Sequence, residues 1–489
     1  MNLRIVGKYI GHILLIEGVF MLPAFLISLA RGEQAGMRGF LIAMAATLLF
    51  GLMLSAIRSA ASISVTEGFL ICGLGWIALS LFGALPFYVS RMIPRYIDCW
   101  FETVSGFTTT GSSILSDVEA LPHGLLYWRS FSHWIGGMGV LVFLLAIVPM
   151  SKGNGEPFQL MKAESPGPEV GKIVPRIGET AKITYLIYLA LTVLMILMLL
   201  AGGMPLFDSV LNAFATAGTG GFSIKNTSIG YYDSSYLHMT IAVFMALFGV
   251  NFSIYYLMFT RRFREILQNE EFRAYWLIML GAAALIGINI VPHYGGNTPL
   301  AFRDSFFAVS SVMTTTGFCT ADFNLWPEFS RMLLLVLMCV GACAGSTGGG
   351  IKVSRLLLLG KHLRAQMARM IHPRRVNSVR MDGRRVEDAV MLGTTAYVTV
   401  YLLIAVLSML IVSSDEKGLI TTISAVLCTF NNIGPGLEIV GPTGNFSSFS
   451  DLSKLVLSID MLLGRLEIFP ILFLFSPGVW KKAGIRKRR

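Results

Sequence analysis

The chain runs to 489 residues, of which 54% are hydrophobic and only 14% charged, and its mean hydropathy is +0.67. So little charge cannot cover a soluble domain of this length; long apolar runs broken by short polar ones are the composition of a multi-span membrane protein. The formal net charge of +11 would suggest a nucleic-acid partner in a soluble protein, but the basic residues lie between apolar runs, where membrane topology accounts for them, and no nucleic acid is expected.

About ten stretches are apolar and long enough to cross a ~30 Å hydrocarbon core. They run near 9–30, 38–57, 67–90, 123–149, 181–202, 234–260, 273–292, 329–358, 387–413 and 449–476. The first opens a membrane domain and lacks a small-residue cleavage site, so it reads as a span and not as a signal peptide. Arg4 and Lys8 precede it. Arg58 follows the second span, and Lys152, Lys162, Lys172 and Arg176 the fourth. Arg261, Arg262, Arg264 and Arg273 follow the sixth. The 360–386 stretch carries Lys361, Arg364, Arg369, Arg374, Arg375, Arg380, Arg384 and Arg385, and the tail reads KKAGIRKRR. With ten alternating spans these all fall on one side, which the positive-inside rule makes cytoplasmic along with both termini. The exceptions are Arg31, Arg38, Arg91, Arg95 and Arg303. The six cysteines, Cys72, Cys99, Cys319, Cys339, Cys343 and Cys428, show no metal or disulfide spacing and read as small buried hydrophobes.

Four outer segments are half apolar yet too short to span, and they align without gaps: DCWFETVSGFTTTG (98–111), DSVLNAFATAGTGG (208–221), DSFFAVSSVMTTTG (304–317) and TISAVLCTFNNIG (422–434). Each ends on a glycine, Gly111, Gly221, Gly317 or Gly434, and each has a residue of N-cap type at one offset upstream: Asp98, Asp208, Asp304 and Thr421. Between lies a run of about ten residues, a helix of roughly 15 Å, or half a bilayer. The period of about 100 residues describes a fourfold repeat of span, half-helix and span.

Non-helical backbone at membrane depth must be buried in protein or line a watery cavity. Four half-helices descending from outside aim their partly negative C-terminal ends at the membrane centre, which favours a cation there. The chain then turns back in an extended form, with glycine supplying the backbone freedom. Four such turns around an axis make rings of carbonyl oxygens that replace an ion's water shell. The segments concerned, Thr109–Ser113, Thr219–Ser223, Thr315–Cys319 and Asn432–Gly436, contain no charged side chain. Backbone carbonyls alone suit a large monovalent cation better than a divalent one.

With GFTTTGSS, GGFS followed by SIGYYD, TTTGF, NNIGPGL, HWIGGMGV, GACAGSTGGGIK and MLLGRLEIFP, the chain resembles the Trk/Ktr/HKT potassium transporter superfamily, most closely its bacterial TrkH/TrkG branch. These motifs span most of the chain. The resemblance implies an all-α membrane protein with four span–pore-loop–span repeats around one central pore plus two extra N-terminal transmembrane helices. It places those two helices at 1–66 and the repeats at 67–150, 151–265, 266–386 and 387–489. It implies potassium uptake across a bacterial inner membrane, a homodimer, and a cytosolic nucleotide-binding ring of TrkA type. The filter then comprises Thr109, Thr110, Gly111, Thr219, Gly220, Gly221, Thr315, Thr316, Gly317, Asn432, Ile433 and Gly434, with potassium held at their carbonyls and no covalent cofactor. Glycine at all four positions goes in that superfamily with potassium over sodium. Because the four loops otherwise differ, selectivity is expected to be less strict than in a symmetric channel, admitting rubidium and, more weakly, sodium.

Arg465 falls within the last span, where a charge is expensive and functional by default. The resemblance makes it a barrier in the pore below the filter; the alternative is a structural pair with Glu467 or Asp460. Gly341, Gly345, Gly348, Gly349 and Gly350 interrupt the eighth span, too much glycine for a straight helix. They read either as close helix packing of small residues or, with the resemblance, as a gate loop beneath the filter, with Lys352 marking the cytosolic boundary. Arg129 and His133 are placed to brace the first filter from behind, His133 as a satisfied structural histidine in preference to an ion or metal ligand. Asp117, Glu119, Asp233, Asp322 and Glu438 follow the filters as a rim that concentrates cations or is simply solvated. The basic 360–386 stretch and tail suit anionic lipid or a docked regulatory subunit. A symporter remains the alternative, since broken helices also serve alternating-access carriers, although those show inverted repeats and these four are parallel. A membrane-embedded enzyme has little support: the spans carry no nucleophile motif, phosphate loop or metal-ligand cluster.

Overall fold

The computed structural model describes residues 2–58, 63–139, 177–372, 378–478 and 480, with the backbone alone for 177–181. Lys152, Lys162, Lys172, Arg176, Arg374, Arg375, the basic tail and the far half of the 123–149 span lie outside the described residues. Among the described residues the regular structure is helical, apart from a two-residue antiparallel ladder pairing Arg380 with Arg385 and Met381 with Arg384. Among the described residues six helices are long and apolar enough to cross a membrane: 3–31, 34–55, 65–89, 182–201, 270–290 and 388–415. They are the two N-terminal helices and the first span of each repeat. The helix at 65 starts from a capping box in which Ser64 and Glu67 satisfy each other's backbone N–H groups.

The second helix of every repeat behaves differently. His123–Met138 ends at Gly139, with φ +83°. Ser235–Phe248 and Phe252–Phe259 are bent by 92°. Glu328–Val340 gives way to the glycine-rich loop before Val353–Ile371. Asp451–Arg465 breaks at Glu467 and Ile468, both at positive φ, before Phe469–Phe475. The sequence marks the third break by its glycines; the breaks at 249–251 and 466–468 carry one glycine and none, and tertiary hydrogen bonds hold them open.

Four short helices stand between the spans: Tyr96–Phe107, Leu206–Ala217, Thr298–Met313 and Leu419–Phe430. Each packs on the first span of its own repeat and on the second helices of its own and the preceding repeat, and the last repeat's second helix closes onto the first short helix. That cyclic head-to-tail packing arranges the four around one axis. The N-terminal helices pack together and against the first repeat.

The expected N-caps are corrected. Asp98, Asp208 and Thr421 lie inside the first turn, behind Arg95, Pro205 and Gly418, and Asp304 lies well inside a helix capped by Asn297. Asp98 and Asp208, in the first turn, are favourable there for the same macrodipole reason, and each of the four positions is used for a cross-element tie. Asp98 takes the Lys454 ammonium at 2.6 Å, Asp208 the Tyr232 hydroxyl at 2.7 Å and Asp304 the Tyr294 hydroxyl at 3.0 Å, while Thr421 donates to Glu438 at 3.1 Å.

Candidate functional site

All four short helices end in one way. Thr109, Thr219, Thr315 and Asn432 adopt left-handed backbone, with φ between +54° and +59°, uncommon for threonine. Beyond each, the next N–H reaches back to the last turn: Thr110 to Ser105 O, Gly220 to Ala215 O, Thr316 to Ser311 O and Ile433 to Cys428 O, all at 2.8–2.9 Å. These are Schellman closures, which stop a helix and turn the chain. Two residues after the left-handed one come Gly111, Gly221, Gly317 and Gly434, at φ +74° to +100°. Repeat equivalence is thus written in the backbone as well as in the letters.

The glycines lie against one another's loops in cyclic order. A Cβ on Gly111 would stand 2.0 Å from Gly220 O, on Gly221 2.0 Å from Thr316 O, on Gly317 1.9 Å from Ile433 O, and on Gly434 2.8 Å from Thr110 O. Each loop's pre-glycine carbonyl therefore sits on the neighbouring loop's glycine, and the ring closes from the fourth repeat to the first. Ser112 donates to Gly434 O at 3.0 Å and Asn432 Nδ2 to Thr110 Oγ1 at 2.9 Å across that last seam.

Arg129 and His133 do stand behind the loops. One His133 ring nitrogen is 2.7 Å from Gly106 O and the other accepts the Phe222 N–H at 3.2 Å, so it joins the first short helix to the second loop. Arg129 pairs with Glu102 at 2.7 Å, donates to Ser223 O at 3.1 Å and lies 4.0 Å over the Phe222 ring. Glu102 accepts from Ser113 Oγ and from Ile114 N–H at 3.0 Å. Glu102 was not singled out in the sequence, yet the signal was present: a carboxylate inside an apolar half-helix.

Beneath the ring, Arg465 donates to Thr347 O at 2.7 Å and to Gly136 O and Gly137 O at 2.5 Å. It thereby ties the glycine-rich loop to the end of the first repeat's second helix. Nearby, Glu467 pairs with Arg355 and Asp460 accepts from Ser408 at 2.8 Å. The glycine-rich loop is a true loop and not a face of small residues in a helix. Gly341, Gly345 and Gly350 have φ of +69° to +78°. It rises to the underside of the ring, where Gly349 N–H donates to Thr315 Oγ1 at 2.6 Å. A Cβ on Gly348 would stand 2.8 Å from Thr314 O and one on Gly349 2.4 Å from Asn431 O. Cys343 N–H bonds Gly249 O, and Phe252 N–H bonds Gly345 O, both at 3.0 Å, so the loop itself satisfies the break at 249–251. Lys352 is buried and its ammonium donates to Gly348 O.

Above the ring a polar vestibule is lined by all four glycines together with Ser112, Ser113, Lys225 and Asn226. Its rim is built, not loose. Asn226 donates to Asp117 at 2.9 Å, which holds that carboxyl below its ordinary range, and Lys225 pairs with Glu119 at 3.3 Å. Of the exceptional basic residues, Arg95 pairs with Asp451 and Arg303 with Asp304. None of the six cysteines is in a disulfide; five of them are buried and Cys339 is half-buried.

The TrkH family model, described as a cation transport protein, matches residues 35–282 and 293–482. The chain belongs to the TrkH family. Its curated relatives include the Trk system potassium uptake proteins TrkH of Salmonella typhimurium and of Escherichia coli K12, each 36% identical over 99% of this chain and 100% of the relative. TrkG of Escherichia coli K12 is 32% identical over 98% and 99%. Among solved structures, the potassium transporter TrkH of Vibrio parahaemolyticus superposes with a TM-score of 0.87 at 32% identity, covering 98% of this chain and 100% of that one. This TrkH-family chain is accordingly a multi-pass helical membrane protein of a transport family and not of an enzyme family.

Proposed function

We propose that the chain takes up potassium across the bacterial inner membrane, through a pore whose filter is formed by the carbonyls of Thr109, Thr110, Gly111, Thr219, Gly220, Gly221, Thr315, Thr316, Gly317, Asn432, Ile433 and Gly434. The supporting observation is the closed order of glycine against carbonyl around the ring. Four short helices end at that ring, and their C-terminal dipoles favour a cation below it. Relatives named as potassium uptake proteins supply the ion. Rubidium, close to potassium in size, passes well and sodium less so. Ion flux into proteoliposomes of purified protein tests the reading: potassium and rubidium should exceed sodium clearly, and equal uptake of all three removes the selective-filter reading.

Residues 341–350 act as the gate and Arg465 as the electrostatic barrier beside it. Both lie under the ring, and Arg465 spans from the loop to the opposite wall. Deleting the loop's glycine-rich tip should raise basal potassium flux in the absence of any partner; unchanged or lost flux in a folded protein removes the gate. The chain functions as a homodimer with both termini cytoplasmic, and a TrkA-type nucleotide-binding ring drives the gate from the basic side. Lys361, Arg364, Arg369, Arg380, Arg384 and Arg385 offer that surface to the ring and to anionic lipid.

A further inference from the structure

A loop that plugs a pore must be held shut by contacts that can be given up. The loop at 341–352 makes neutral hydrogen bonds to the filter and to the 249–251 break and gives Thr347 O to Arg465, while its entry at Ala344 and the start of the helix that follows it meet on one carboxyl side chain. Glu271 Oε1 accepts the Ala344 N–H at 2.7 Å and the Ser354 N–H at 3.1 Å. The residue is 5% exposed. Resting on the gate assignment above, we propose that Glu271 is the latch of the gate: a positioning residue whose carboxylate clamps entry and exit of the loop together and so keeps it under the filter.

Three observations converge on this side chain. Ser354 lies in the first turn of Val353–Ile371, a helix with no side-chain cap of its own. Its free N–H groups and positive dipole end need an anion, and Glu271 reaches them from another helix. Hydrogen bonds to a charged acceptor are about twice as strong as neutral ones, so this clamp outweighs any single neutral contact of the loop. Finally, Glu271 is rigidly placed. It occupies the first turn of Glu270–Ile290, whose cap Asn269 accepts the Phe272 N–H at 2.8 Å.

The neighbouring residue shows how the latch is reached from the basic face. Glu270 pairs with Lys361 and accepts the Asp382 N–H at 3.1 Å, and Asp382 in turn accepts the Glu270 N–H at 2.8 Å. One turn of helix therefore holds the 380–385 hairpin with one carboxylate and the gate loop with the next. Moving Val353–Ile371 away from Glu270–Ile290 strains both ties together, whereas thermal motion of the loop alone strains the Glu271 tie and leaves the Glu270–Lys361 pair in place.

Full-length Glu271→Ala and Glu271→Gln proteins in proteoliposomes without a partner test the latch, with three readouts: potassium flux per folded molecule, alkylation of Cys343, and amide exchange at Ala344 and Ser354. Cys343 sits inside the loop at 1% exposure and reports its displacement. The alanine variant should raise flux and Cys343 labelling by about tenfold, the scale set by losing a charge-assisted hydrogen bond. Glutamine, which keeps a neutral acceptor, should fall between it and the wild type. A merely structural glutamate would lower the yield of folded protein while leaving labelling and flux per molecule at wild-type values, and that result overturns the latch. If the alanine protein does not fold, exchange at the two amides in the glutamine protein decides, and unchanged exchange is fatal. Loop deletion, run alongside, separates the two ideas: deletion that opens the pore beside an inert Glu271→Ala removes the latch alone, and deletion without effect removes gate and latch together.

Discussion

Serine in place of Gly317, Gly111 or Gly221 should lower the potassium-to-sodium flux ratio by about tenfold or more, the scale of a strained backbone position forced to shift, while serine at Gly434 should do least. The order follows from the ring. At Gly317 a Cβ meets Ile433 O at 1.9 Å and the Pro435 ring at 2.8 Å, and at Gly111 and Gly221 the facing carbonyl is 2.0 Å away. No side chain fits without pushing that carbonyl aside, and it is itself a proposed ion ligand. Damage from a substitution in one repeat is thus delivered to its neighbour's ligand. At Gly434 the nearest oxygen is 2.8 Å away, so the penalty there is mainly the φ of +100°. Potassium and sodium uptake by the four single variants, each normalised to folded protein, gives the ranking. Four equal losses would point to backbone strain alone, and no loss at Gly317 would remove the steric account of the filter.

How much of this was legible from letters divides along a physical line. Features set by local backbone requirements were visible: the four glycines and the glycine-rich interruption each follow from what a turn at that place demands, whereas the third half-helix, Thr298–Met313, runs to 16 residues against about ten expected. Features set by tertiary pairing were not. Asp98, Asp208, Asp304 and Thr421 share an offset because they tie each short helix to another element, and from sequence that regularity looked like capping. The bend at 249–251 was invisible because its missing helical bonds are supplied by Cys343 and Gly345, almost 100 residues away. The Lys352 ammonium is spent inside the loop on Gly348 O, a partner that no spacing in the sequence names. Arg465 was found as an intramembrane charge, but its three carbonyl partners come from two other repeats.

The same line between local and tertiary explains why Arg129 should be the costliest single side chain to remove. Its partner Glu102 has a side chain at 0% exposure and its own is at 2%. Arg129→Ala leaves a buried carboxylate without its cation, a loss of roughly 3–5 kcal/mol where one partner of such a pair is deleted. Glu102 also receives Ser113 and Ile114, and Arg129 also holds Ser223 O. The outgoing strands of the first and second loops are therefore fixed by one ion pair. Arg129→Ala should lower the thermal midpoint of the detergent-solubilised protein sharply and abolish selective flux in whatever folds. Arg129→Met combined with Glu102→Gln removes both charges at similar volume and should recover most of the thermal stability. It should not recover potassium selectivity, because the donor to Ser223 O is still absent. The double-mutant cycle separates the two roles. Recovery of stability and selectivity together would show that the pair only balances charge, and failure to recover stability would show that the arginine's packing over Phe222 outweighs its pairing with Glu102.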